Sequence, residues 1–235
     1  MDFQEVMTEL EAVGNEQTKK TLIKHGAREP FFGVKVSDLK KIVKKIKKDH
    51  NLSLELYNSG NSDAVYLAGL ISDENQITKE QLNDWAEKAY WYYISEFTVP
   101  WVAAESNYGW ELALEWIESD TENIASCGWA TLRSLTEVKP DEDLNIDAFS
   151  ALLDRVKKEI QSAPNRVRYT MNGFVIAVGS YISGLTQKAI KTGEIIGTVE
   201  VDMGGTACKV PSSPIYIDKV KKRGSIGKKR KTARC

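Results

Sequence analysis

Apolar residues fall at Phe3, Val6, Met7, Leu10 and Val13, the i, i+3, i+4, i+7 spacing of an amphipathic helix. The same period returns behind Ser37-Asp38, a helix-capping pair, where Leu39, Ile42, Val43 and Ile46 form one stripe. At ~100° per residue, Lys40, Lys41, Lys44, Lys45, Lys47 and Lys48 all land on the opposite side. Ser62 or Asp63 can cap a segment running to Ile71, and Thr78 with Gln81 reads as a capping box. Further helical periods fit 78–94, 98–106, 108–118, 121–136, 147–160, 164–181 and 183–196. The breakers between them are short: Asn58-Ser59-Gly60-Asn61, Ser72-Asp73-Glu74-Asn75, Lys139-Pro140-Asp141 and Ala163-Pro164-Asn165.

Many helices of similar length joined by short turns predict an all-α fold, with antiparallel helix pairs stacked side by side as in a HEAT/ARM-like α-α superhelical solenoid. No exact repeat is visible, so a compact helical bundle is the competing architecture. After Gly197 the pattern changes. Thr198 to Met203 alternates, Gly204-Gly205 is a two-residue hairpin signal, and Thr206 to Val210 follows, which together predict a small β-hairpin. Pro211 and Pro214 end it, and Tyr216 to Lys222 fits one short helix. The division expected is a helical-repeat domain over 1–197 and a hairpin with a basic extension over 198–235.

With 42% hydrophobic and 9% aromatic residues, the 235-residue chain is too apolar for a disordered protein. No run reaches the ~18 apolar residues of a membrane helix, and the acidic start MDFQEVMTELE lacks the order of a secretory signal. A cytoplasmic protein with no membrane partner is the expectation. Cys127, Cys208 and Cys235 are widely spaced without a CxxC, which argues against a zinc ribbon or a disulfide framework. His25 and His50 are the only histidines and have no partner at ligand spacing, so neither a metal nor another cofactor is expected.

The net charge of −1 conceals a strong asymmetry. Residues 72–147 hold 17 acidic and 4 basic side chains, and the rest of the chain is correspondingly basic. Two clusters carry that excess: 35–48, with seven lysines against Asp38, and 219–235, with nine Lys or Arg and no acid. Lysines on one helix face suit a phosphate backbone, and a solvated helix back is the alternative.

The stretch His25-Gly26-Ala27-Arg28-Glu29-Pro30-Phe31-Phe32-Gly33-Val34-Lys35-Val36, followed by the Ser37 helix, resembles the early signature of the DNA alkylation repair family. Those are alkylpurine DNA glycosylases built from HEAT-like repeats. The resemblance is specific near residues 25–46 and loose elsewhere, and the basic extension looks like that of a family subgroup. It implies a concave basic channel for DNA, duplex in form, and a tryptophan with an aspartate four residues on along one helix. A carboxylate there would stabilise the oxocarbenium-like state of base release, and an aromatic face would attract the cationic base.

The matching positions are Trp101 and Glu105, the candidate catalytic pair, placed on one helix face by their spacing behind Pro100. Glutamate stands where the family has aspartate, and a shift of about 1 Å in a reacting group can cost on the order of 100-fold in rate. The structural alternative is that Trp101 packs in the core and Glu105 caps or faces solvent. The family's arginine positions read Gly128 and Ala177, and its second tryptophan reads Phe174. Arg133, Arg166 or Arg168 could substitute from neighbouring turns. The nucleic-acid-binding candidates are therefore Lys40, Lys41, Lys44, Lys45, Lys48, Arg166, Arg168, Phe174, Lys228, Lys229, Arg230 and Lys231. Three functions fit: a DNA-binding protein of this family for damaged or distorted duplex with weak or no glycosylase activity, an active glycosylase for N3- or N7-alkylated purines, and a helical-repeat scaffold for proteins.

Overall fold

Residues 3 to 196 of the computed structural model run mostly as helix, and the structure describes residues 1–234. Thirteen α-helices form among them: α1 (Phe3–Ala12), α2 (Glu16–Lys24), α3 (Val36–Ile46), α4 (His50–Asn58), α5 (Ser62–Ile71), α6 (Lys79–Lys88), α7 (Val99–Glu105), α8 (Gly109–Trp116), α9 (Glu122–Val138), α10 (Ile146–Glu159), α11 (Asn165–Tyr181), α12 (Thr186–Ile196) and α13 (Ser213–Lys222). Local chemistry sets many starts. The Thr78–Gln81 capping box forms, and Asp2 with Glu5 makes another at the first helix. The α3 helix begins at Val36, earlier than Ser37-Asp38 suggests, and its N-cap Lys35 makes no side-chain cap bond. No apolar stripe announces α2, because that helix buries none of its residues.

The helices stack in two rows. Along the inner row α5, α7, α9 and α11 pack each against the next; α4, α6, α8 and α10 back them from outside, while α12 and α13 close the end against α11. The two buried clusters follow the stack. One runs from Val6 to Cys127 and takes in Ala233 from the far end of the chain, and the other runs from Ala104 to Ile217. Every residue of α5 is buried, as befits an element enclosed on all sides. Close approach needs small residues: a Cβ on Gly179 would lie 2.5 Å from Ile217, and one on Gly193 2.6 Å from Ser213. These two glycines let α13 sit down on α11 and α12.

The expected β-hairpin is absent, because no described residue is in a strand. The Gly204-Gly205 turn does form, with Gly204 at φ +64° and the Thr206 hydroxyl donating to the Met203 carbonyl at 2.9 Å across it, but beyond that bond its arms form no ladder and are tied to the helical body. Asn165 takes both main-chain groups of Asp202, donating to its carbonyl at 2.9 Å and accepting from its N–H at 2.7 Å. Gln161 donates to the Ile196 carbonyl and Asn172 to that of Pro211, both at 2.8 Å. Alternation in the sequence registered burial against α11, not a ladder. The extension has no core of its own: Val199 and Ile217 join the second cluster and Ala233 the first.

Candidate nucleic-acid interface

Pro100 shapes the inner row. Its ring nitrogen cannot donate to the carbonyl of Glu96 four residues back, and the chain relaxes into a π-helical turn over Ile94–Thr98. Arg133 from α9 supplies the missing donor, reaching the Glu96 carbonyl at 3.1 Å. The Glu96 side chain is fully buried and accepts both arms of the Arg166 guanidinium, each at 2.7 Å. That guanidinium is stacked between the rings of Tyr92 and Tyr169, at 4.5 and 4.4 Å from their centroids. Burial pushes the Glu96 carboxyl up, and Arg166 opposes that push. Burial likewise raises the Tyr92 and Tyr169 hydroxyls above their ordinary range. Arg166, a sequence candidate for nucleic-acid contact, is thus committed to a buried ion pair. No pattern in the sequence marked Glu96 or Tyr92 as its partners, since the contact spans 70 residues.

Trp101 and Glu105 lie on α7 as their spacing requires. Trp101 is 3% exposed and packs edge-on against Tyr66 and beside Phe97. Glu105 is held by the chain's own basic end. Its carboxylate accepts from the Thr232 hydroxyl and from the Ala233 N–H at 2.7 Å, and it pairs with Arg234 Nε at 3.0 Å. Arg234 also donates to the carbonyls of Leu70 and Ser72, at 3.3 and 2.7 Å, and to Glu74 at 2.9 Å.

These contacts end a longer path. Residues 227–234 cross the C-terminal ends of α11, α9, α7 and α5 in turn. Gly227 N–H donates to the Ser180 carbonyl, Lys229 to that of Thr136, and Arg230 N–H to that of Glu137. Lys229 pairs with Asp141 at 2.8 Å and Arg230 with Glu137 at 2.7 Å. Helix C-termini present unpaired carbonyls and the negative end of the helix dipole, so a cationic strap is the complementary partner. The acids it meets, Glu74, Glu105, Glu137 and Asp141, all belong to the acidic middle of the sequence.

Two clefts flank the strap. The first, of about 690 Å³, is lined by Trp101, Tyr169, Tyr181 and Tyr216, with Arg133, Arg223, Lys228 and Arg230. The second, of about 600 Å³, is lined by Lys40, Lys47, Lys48, Lys139 and Lys231 together with Glu74, Glu105 and Arg234. Of the lysines on α3 and just past its end, Lys41 pairs with Asp38, Lys45 with Glu9 and Lys48 with Glu74, while Lys40, Lys44 and Lys47 have no carboxylate partner among the described residues. Lys228 and Lys231 are exposed and likewise unpaired, whereas Lys229 and Arg230 are engaged as described. Among the described residues Arg168 makes no ion pair, and its Nε is buried without a partner.

Phe174 is fully buried, stacked with Phe149 and edge-on to Trp129, and so offers no face to a ligand. Gly128 faces α8: a Cβ there would lie 2.7 Å from the Ile117 nitrogen, so no larger side chain fits without displacing main chain. Ala177 does line the first cleft.

The 25–36 signature has a physical basis in Asp63. That buried carboxylate accepts from the N–H groups of Phe32, Gly33 and Val34 at 2.6, 2.9 and 3.0 Å. Burial pushes its carboxyl up, and the three N–H donors counter it. Gly33 sits at φ +79° with a would-be Cβ 2.6 Å from the Lys19 nitrogen, a place only glycine fits. His25 Nδ1 meets the Tyr92 hydroxyl at 2.5 Å. Among the described residues no three His, Cys, Asp or Glu side chains gather as a metal-holding group, and no helix is long and apolar enough to cross a membrane.

A two-row helical stack with a basic inner edge defines a protein of the HEAT-like repeat class. Residues 6–204 match the family described as DNA alkylation repair enzyme, and the chain belongs to that family. An uncharacterized protein of Listeria innocua serovar 6a is 36% identical over 227 residues, covering 94% of this chain and 98% of the relative. An uncharacterized protein of Listeria monocytogenes serovar 1/2a matches to the same extent. A solved structure, 37% identical with a TM-score of 0.93 over 100% of both chains, represents a new family of proteins related to the HEAT-like repeat DNA glycosylases with affinity for branched DNA structures.

Proposed function

We propose that this protein binds branched or otherwise distorted duplex DNA and does not excise alkylated bases. The observation that carries this reading is the state of Glu105. The carboxylate at the family's catalytic position is taken up by Thr232, Ala233 and Arg234 of the same chain. Excision needs a carboxylate free to stabilise charge developing on the sugar, and this one already faces a guanidinium. Around the same strap, unpaired cations remain for phosphate. The similarity to a protein with affinity for branched DNA supports that partner. Trp101 and Glu105 are on this reading the remodelled remnant of a catalytic pair, holding the strap instead of a base.

Fluorescence anisotropy with a labelled four-way junction, titrated across salt, tests the binding half. Log affinity is expected to fall with log salt by roughly 0.9 per phosphate neutralised. Affinity that is weak and insensitive to salt would remove nucleic acid as the partner and favour a protein scaffold.

A further inference from the structure

We infer that the two clefts beside the strap each receive one arm of a branched DNA. The inference rests on the DNA-binding reading above and deepens it by giving the second arm its own surface. The strap is a shared wall. Arg230 and Ala233 line the first cleft, and Lys231, Thr232 and Arg234 line the second. The second cleft is assembled from three segments far apart in sequence: Lys40 from α3 and Lys47 from its C-cap, Lys139 from the turn after α9, and Lys231 from the strap. None of these four lysines has a carboxylate partner among the described residues. The cleft's own acids, Glu74 and Glu105, are already paired with Lys48 and Arg234. On the other side Arg223 and Lys228 are also unpaired, and an exposed Tyr216 stands beside them.

Stiffness then selects the ligand. The strap is pinned at four helix ends, by a main-chain hydrogen bond at α11 and by ion pairs at the ends of α9, α7 and α5, so it is a fixed ridge between two cationic surfaces. A straight duplex laid along one cleft must bend sharply over that ridge to reach the other, and DNA resists bending below a length of ~150 base pairs. A branch point astride the ridge places an arm in each cleft with no bend at all. Tyr216, Tyr181 and Tyr169 in the first cleft offer ring faces for bases left unstacked at the branch. Preference for branched DNA thus comes from the placement of phosphate contacts and needs no reading of sequence.

The full-length protein is compared with Lys40→Glu/Lys47→Glu/Lys139→Glu by anisotropy on a four-way junction and on a linear duplex, each across the same salt series. Junction affinity of the triple variant is expected to fall about tenfold more than duplex affinity, with the junction salt slope reduced by roughly 2 to 3 if each lysine neutralises a phosphate. Arg223→Glu/Lys228→Glu is expected to weaken both ligands. The neutral variant Lys40→Gln/Lys47→Gln/Lys139→Gln should move the junction-to-duplex ratio in the same direction, so charge reversal or misfolding is not the cause. A ratio unchanged in both triple variants, or an equal loss on both ligands, overturns the two-arm arrangement while leaving DNA binding in place. A wild-type protein that binds junction and duplex alike overturns the branched-DNA reading itself, and this arrangement with it.

Discussion

Arg234 reaches two carboxylates and two main-chain carbonyls from one side chain that is only 8% exposed. Removing it leaves Glu74 with Lys48 alone and Glu105 with no cation, each partly desolvated. Arg234→Ala is therefore expected to cost about 2–4 kcal/mol in chemical denaturation, whereas Lys231→Ala, exposed and without a carboxylate partner among the described residues, should stay within about 0.5 kcal/mol. Glu96 presents the complementary case. Glu96→Ala strands the Arg166 charge between two tyrosine rings and is expected to cost about 3–5 kcal/mol. Urea titration followed by helical circular dichroism measures both. Trp101 and Glu105 were legible as a pair through the family resemblance, and four-residue spacing on a helix then puts them on one face. What occupies Glu105 was not legible, since its partners lie more than 120 residues away.

At the scale of elements, the strap explains a charge pattern that sequence reads differently. A basic terminal run beside an acidic middle suggests a tail for phosphate, and the structure matches Lys229, Arg230 and Arg234 to acids at the ends of successive helices. The match depends on which helix ends share an edge, and periodicity carries no such information. Acid should loosen it. Burial tends to raise the Glu74 carboxyl, but Lys48 and Arg234 more than offset this and leave it below its ordinary value of 4.5. A carboxyl lowered by folding stabilises the native state above its unfolded value, and that contribution is lost as pH falls through the lowered one. The melting-temperature gap between wild type and Arg234→Ala is thus expected to be largest near neutrality and to shrink as pH falls below about 4. A gap that widens in acid would mean that Glu74 is not a principal anchor. The π-turn carries the opposite lesson: Pro100 was visible as a helix starter, yet its larger effect is to free a carbonyl for Arg133.

For the whole molecule, the helical stack was readable because each amphipathic segment must bury its stripe against a neighbour, and short breakers leave antiparallel packing as the solution. The predicted hairpin failed for the same reason inverted: alternation reports burial on one face, and α11 provided that face without a second strand. Assembly of the stack brings α3, the turn after α9 and the strap together, and so turns a near-neutral chain into one with a cationic edge. That edge is suited to holding DNA, and the Glu105 carboxylate beside it is held by the strap. The measurement that bears most directly on binding without excision is base release. Methylated duplex is incubated with a protein preparation shown to bind a four-way junction, and free 3-methyladenine and 7-methylguanine are counted. Release no greater than in a protein-free control is expected, for wild type and for Glu105→Asp alike. Release by wild type that is lost in Glu105→Gln would contradict it and make the protein a glycosylase.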